Sequence, residues 1–142
     1  MKLLLIHASR FWWKLRGEAR GLKVRDEPEP EEEDLEEVVV VFTAVEAGDE
    51  GSLEEVVERA AKAVLEFSGR VGCRKVVLYP YAHLSTELAR PGTARIALER
   101  LGEELEAGGI EVHKAPFGYY KEFILHCKGH PLSEAFRDIS PP

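Results

Sequence analysis

At 142 residues, 44% hydrophobic and 32% charged, the sequence has the size and balance of one globular domain able to bury a core. A net charge of -7 excludes a protein that clamps a long nucleic-acid backbone, because neutralised phosphates supply most non-specific affinity; contact with only the end of an RNA stays open. Cys73 and Cys127 form neither a disulfide framework nor a CxxC pair, which points to a reducing, cytoplasmic setting, and no apolar run reaches the length of a membrane span.

Lys2 to His7 predicts a buried strand that ties the start of the chain into a sheet. Ser9 to Arg25 mixes Lys14, Arg16, Arg20, Lys23 and Arg25 with Phe11, Trp12 and Trp13, a combination that suits RNA; the two tryptophans suit a core or a subunit interface equally well. From Asp26 to Glu37 the sign of the charge reverses around Pro28 and Pro30, and this run reads as a solvated loop or hairpin connection. Val38-Val39-Val40-Val41-Phe42 is β-branched with little polar interruption, the pattern of a central strand covered on both faces.

After Gly48 to Gly51, Ser52 and Glu55 have the spacing of a capping box. Leu53, Val56, Val57, Ala60, Val64 and Leu65 form the apolar stripe of a helix predicted to end near Gly69. Lys75 to Tyr79 is the next strand, closed by Pro80. Pro91 opens a second helix at a position where its missing N–H costs nothing, with Ala94, Ala97, Leu98, Leu101 and Leu105 on one face and Gly108-Gly109 as the stop. Ile110 to Ala115 predicts a strand, Pro116-Phe117-Gly118 a turn, and Tyr119 to Cys127 a strand that pairs back as a hairpin. Lys128-Gly129-His130-Pro131 turns the chain into a short last segment, Leu132 to Ile139, and Pro141-Pro142 reads as the beginning of a linker. The alternation predicts a single α/β (α+β) domain over 1–142, with a mixed sheet, two main helices and a C-terminal hairpin.

The candidate chemistry centres on Lys121. On the two-residue period of a strand it shares a face with Tyr119, Phe123, Leu125 and Cys127, so its stem is walled by apolar groups and its ammonium needs a partner; the competing reading is a snorkelling lysine with its head in water. His83, just past a strand end, and Glu134, near the C-terminus, are the polar groups that would join it. Tyr120 should point to the opposite face from Lys121, so both line one pocket only if the backbone near Gly118 bulges or twists. His126, Cys127 and His130 have the composition of a metal site, yet Gly129 and Pro131 break the helix that an HxxxH pair needs, and the pattern does not support a metal. No GxSxG, no Ser–His–Asp order and no phosphate-cradling glycine loop is present, so a covalent nucleophile is not supported. From the residues alone the reading stops at a small α/β hydrolase or a ligand-binding module.

Four strings carry a resemblance: Leu4-Leu5-Ile6-His7, Tyr79-Pro80-Tyr81-Ala82-His83-Leu84-Ser85, Lys114-Ala115-Pro116-Phe117-Gly118-Tyr119-Tyr120-Lys121 and Cys127-Lys128-Gly129-His130-Pro131-Leu132. In these the sequence resembles the N-terminal editing domain of archaeal threonyl-tRNA synthetases over nearly its whole length. The acidic loop at Pro28 to Glu33 and the Trp12-Trp13 pair depart from that pattern. The resemblance implies a fold similar to D-aminoacyl-tRNA deacylases, a homodimer, and hydrolysis of serine wrongly attached to threonine tRNA, with the tRNA 3' end and the remaining synthetase domains, or a separate synthetase, as partners. It places Lys121, His83, Glu134 and Tyr120 around the aminoacyl group, has Val45, Pro80, Ala82 and Phe117 shape the pocket, and implies no cofactor and no metal. Two alternatives remain beside it: a D-aminoacyl-tRNA deacylase, and a non-catalytic module that holds an aminoacyl adenosine or dimerises.

Overall fold

A run such as Val38 to Phe42 can bury both faces only in the middle of a sheet, and that is where it lies. In the computed structural model, which describes residues 1–142, the strands are β1 (Lys2–Glu18), β2 (Glu32–Ala44), β3 (Lys75–Pro80), β4 (Glu111–Lys114), β5 (Tyr119–Cys127) and β6 (Glu134–Asp138). Helix α1 (Leu53–Val71) joins β2 to β3, and α2 (Pro91–Ala107) joins β3 to β4. Short 3-10 turns occupy Ala47–Ser52 and Ala82–Leu84. The six-stranded sheet has the order β4-β3-β2-β1-β5, with β6 also on β1. β1 is antiparallel to β2, β5 and β6, whereas β2, β3 and β4 run parallel. The expected mixed sheet with two main helices is therefore the architecture.

One face of the sheet, through Leu3, Leu5, Val39, Val41, Val76 and Leu78, packs against the apolar stripes of α1 and α2. The other gathers Ile6, Ala8, Val38, Val40, Phe42, Val77 and Tyr79 with Phe11, Trp13 and Leu35. On β1 the buried set of this second face passes from even positions, up to Ala8, to odd ones from Phe11. The change falls where Ser9 and Glu37 drop out of the β1–β2 ladder and Glu37 takes a positive φ of 48°. Such an irregularity shifts the alternation by one and bends the strand. It brings Phe11 edge-on to both Phe42 and Tyr79, with ring centroids 6.0 and 5.6 Å apart.

Several expectations are corrected. The first strand does not stop at His7 but continues to Glu18, so much of the basic and aromatic stretch is sheet. Trp13 is fully buried, and the partly exposed Trp12 donates its indole N–H to Glu32 over 2.7 Å. Glu32 to Glu37 belongs to β2 rather than to a loop, because its charges lie across from those of β1: Glu32 opposite Lys14, and Asp34 in a two-pronged ion pair with Arg10, both contacts 2.9 Å.

The C-terminal hairpin is not formed. α2 makes a β3-α2-β4 crossover that lays β4 parallel beside β3, while β5 pairs with β1 at the opposite edge. The Pro116-Phe117-Gly118 turn therefore crosses the end of the sheet. Ser52 makes no side-chain cap; reciprocal capping occurs one turn earlier, between Glu46 and Asp49. α1 passes through Gly69 and ends at Gly72, whose φ of 70° is left-handed and whose N–H donates to the Ser68 carbonyl. No helix is long and apolar enough to cross a membrane.

Candidate active site

The ends of β2 and β3, the first half of α2, the crossing turn with the start of β5, and Ala19 and Leu22 after β1 enclose a cavity of about 560 Å³ in which 15 of 21 lining residues are hydrophobic. The end of β2 supplies Thr43, Ala44 and Val45, and the end of β3 with the following turn supplies Tyr79 to His83. α2 contributes Pro91, Ala94 and Leu98, and the crossing turn with the start of β5 contributes Phe117 to Lys121. Parallel strands open towards such a crevice at their carboxyl ends, and the size suits a small organic ligand. Backbone hydrogen bonds fix the wall: Tyr81 N–H to Thr43 at 2.8 Å and Ala89 N–H to Val45 at 3.0 Å.

Lys121 lies among aromatic groups, its Nζ 5.2 Å from the centre of the Tyr79 ring and donating to the Tyr119 carbonyl over 3.2 Å. Burial brings its pKa down to about 8, with the negative charge of Asp26 acting in the opposite direction. Burial likewise pushes the Tyr79 hydroxyl above the ordinary tyrosine value. Tyr120 and Lys121, neighbours in a strand, both line the cavity. The irregularity this requires sits on the partner strand: Leu15 faces Lys121 and Gly17 faces Tyr120, leaving Arg16 as the extra residue. Tyr120 is 56% exposed, at the rim, and its hydroxyl accepts the Arg20 N–H over 3.1 Å. His83, on the 3-10 turn after β3, stands edge-on to Tyr81 with centroids 5.3 Å apart.

The cavity thus unites Lys121, His83 and Tyr120 with Val45, Pro80, Ala82 and Phe117. Glu134 is not among its lining residues. It is exposed on β6, with Ile6 as its cross-strand neighbour.

Asp26 was missed by sequence reasoning, because it begins an acidic, proline-containing run that looked solvated. Its Oδ2 accepts the Phe117 N–H at 2.8 Å and its Oδ1 accepts from Arg95 at 2.7 Å. Its own N–H donates to the Phe117 carbonyl at 3.0 Å, and its carbonyl accepts the Tyr119 hydroxyl at 2.7 Å. One residue thus pins both sides of the turn that leads into Lys121. Gly118, at φ 96°, lies so close to this segment that a Cβ there would meet Arg25 Cγ at 2.6 Å and the Val24 carbonyl at 2.8 Å. Tyr79 and Leu22 were also missed; Tyr79 lay inside a legible string, but nothing local marked Leu22.

His130 forms a pair with His7, Nε2 to Nδ1 at 2.8 Å, while His126 is exposed across from Arg10. No three His, Cys, Asp or Glu side chains are grouped so as to hold a metal ion.

The family model described as the archaea-specific editing domain of threonyl-tRNA synthetase matches residues 1–139. Threonine–tRNA ligase of Thermofilum pendens is 46% identical over 99% of this chain and 23% of its own length. That of Hyperthermus butylicus is 45% identical over 97% of this chain and 23% of its own, and that of Thermococcus kodakarensis 42% over 99% and 22%. The chain therefore spans about a quarter of the length of these relatives. Among solved structures, the c-Myc DNA Unwinding Element Binding Protein superposes with a TM-score of 0.64 over the whole of both chains at 12% identity, a likeness of fold. With nearly its full length matched by the family model, the chain belongs to the archaea-specific editing domains of threonyl-tRNA synthetase.

Proposed function

We propose that this chain hydrolyses L-seryl-tRNA(Thr), removing serine wrongly attached to threonine tRNA. The observation that carries the reading is Lys121, a half-buried ammonium in the wall of an apolar cavity of about 560 Å³, in a member of a proofreading family. Serine is threonine without one methyl, a difference worth only about 1–3 kcal/mol in a binding site, so accurate charging needs a second site that sieves by size. In this reading Pro80, Ala82, Phe117 and Val45, all in the cavity wall, shape the pocket for the aminoacyl group and the terminal adenosine. The methyl of threonine would meet this wall, and serine would enter.

The reaction is attack of water on the ester carbonyl. A bond forms between the water oxygen and the carbonyl carbon, the bond to the ribose oxygen breaks, and one proton passes from the water to that ribose oxygen. Lys121 holds the attacking water or donates to the carbonyl oxygen, stabilising the negative charge that develops there in a site where water screens it little. His83 and Tyr120 orient the substrate from the two sides of the mouth. In the same reading the chain is a homodimer. Ile124, Leu132 and Phe136, about half exposed on β5 and around β6, offer the apolar surface, and Glu134 reaches a cavity only when a second copy delivers it. The tRNA body is held by the remaining synthetase domains, or by a separate synthetase, so this chain needs to hold only the 3' end.

The test is release of serine from L-seryl-tRNA(Thr) by the purified chain, with L-threonyl-tRNA(Thr) and a D-aminoacyl-tRNA alongside and a metal chelator present. Fast loss of serine with threonine spared supports the reading. Equal loss of both L-amino acids removes the size sieve, and preferential loss of the D-amino acid favours a D-aminoacyl-tRNA deacylase.

A further inference from the structure

From the outer end of β1 into the first residues after it runs a segment whose charge is opposite to that of the protein. Residues 14–25 carry five basic side chains and one acidic one, in a chain of net charge -7. Arg16 and Arg25 are engaged in ion pairs with Glu122 and Glu18. Arg20 and Lys23 are exposed, and neither has a carboxylate partner. Between these two cations the chain turns inward, and Leu22, with Ala19, lines the cavity. The segment is pinned at the mouth: Ala19 N–H donates to the Gly118 carbonyl at 2.9 Å, and Arg20 N–H donates to the Tyr120 hydroxyl at 3.1 Å. The nearest acidic groups in sequence are already engaged, Glu18 by Arg25 at 3.4 Å and Asp26 by Arg95 at 2.7 Å.

We propose that Arg20 and Lys23 form a phosphate-binding rim for a single-stranded RNA end whose last nucleoside occupies the cavity, an inference that rests on the editing reading. An apolar cavity accepts a nucleoside and its ester but not the phosphodiesters, which must leave through the mouth. Bringing those anions to an acidic protein costs free energy unless cations wait where the strand emerges. Two free cations beside a cavity-lining leucine meet that need. The rim follows the backbone and reads no sequence, because its contacts are to phosphate and not to base edges.

The experiment has two readouts. One is binding of a short, unacylated oligoribonucleotide ending in adenosine, by fluorescence anisotropy across a salt series. The other is kcat/KM for serine esterified either to that oligonucleotide or to adenosine, which has no phosphate. Arg20→Gln/Lys23→Gln is compared with Lys62→Gln/Arg70→Gln, two exposed positions on α1 that change net charge equally. With two phosphates released, the rim variant should lower the slope of log K against log salt by about 1.4 in magnitude. It should also reduce the preference for the oligonucleotide ester over the adenosine ester about tenfold. The α1 variant should keep the wild-type slope and preference.

A rim variant with wild-type slope and preference overturns the proposal, as does an α1 variant that loses as much as the rim variant. If the wild-type chain hydrolyses neither ester, the editing reading fails, and the binding slopes still decide whether the rim exists.

Discussion

Lys121 keeps its charge against the preference of its surroundings. Aromatic and apolar neighbours strip water from the ammonium, and Asp26 gives back only part of the lost solvation, so the group titrates near pH 8 rather than at the ordinary lysine value of 10.5. If the ammonium is the working form, kcat/KM corrected for the hydroxide-driven background should fall as pH rises through about 8. Lys121→Met should abolish that fall and cost about a hundredfold in rate, the scale of one lost transition-state donor. Asp26→Asn removes the one charge that raises this pKa, and should move the midpoint of the fall to lower pH. An unmoved midpoint would show that Asp26 acts only through the turn it pins.

The sign for stability is opposite to that for activity. A lysine with a lowered folded pKa opposes folding while it must be buried charged, below about pH 8, and stops doing so as pH rises towards 10.5. Relative to Lys121→Met, the unsubstituted chain should gain stability across that window in denaturant titrations at stepped pH. Lys121 was legible in the sequence because a strand's two-residue period put it on an apolar face. Asp26 was not, because its partners Phe117 and Tyr119 lie 91 and 93 residues away, and the proline-rich acidic run around it has the composition of solvated chain.

Among the elements, the helices were the most readable and their ends the least. A 3.6-residue apolar stripe is a local signal, whereas the choice between two glycines three apart depends on which takes the left-handed conformation. Gly69 lies within α1 with nothing within 4 Å of an added Cβ, while Gly72 sits at φ 70°. Gly69→Ala should therefore stabilise the fold by about 0.5–1 kcal/mol, and Gly72→Ala should destabilise it by about 1 kcal/mol or more. Equal effects of the two substitutions on the denaturation midpoint would contradict this account of the helix end.

All strands but β6, which read only as a short last segment, were recognisable one by one, but their partners were not. Periodicity says that Tyr119 to Cys127 is a strand; it does not say that a crossover helix has already committed β4 to β3 and left β5 to pair with β1. The outer half of β1 was hidden for another reason. Its buried positions shift by one at Ser9, so a pattern counted from Lys2 loses phase before Phe11.

At the scale of the whole molecule, the proposed rim would reconcile an acidic chain with an RNA ligand by division. A net charge of -7 repels a polyanion, and the basic stretch beside the cavity would offer the RNA end one point of entry. The cavity itself could be placed only once the ends of β2 and β3, the start of α2, the crossing turn and the stretch after β1 were seen to meet, since its lining residues run from Ala19 to Phe123.

The burial of β1 and β2 on both faces of the sheet has a consequence for how the molecule opens. Because the same two strands supply apolar side chains to both clusters, one on each side of the sheet, neither cluster can loosen while the other stays intact. Amides of β1 and β2 on both sides of Ser9 should exchange with deuterium through a single opening event with one denaturant dependence. Two separable exchange classes divided at Ser9 would show instead that the bend is a hinge between independently melting halves.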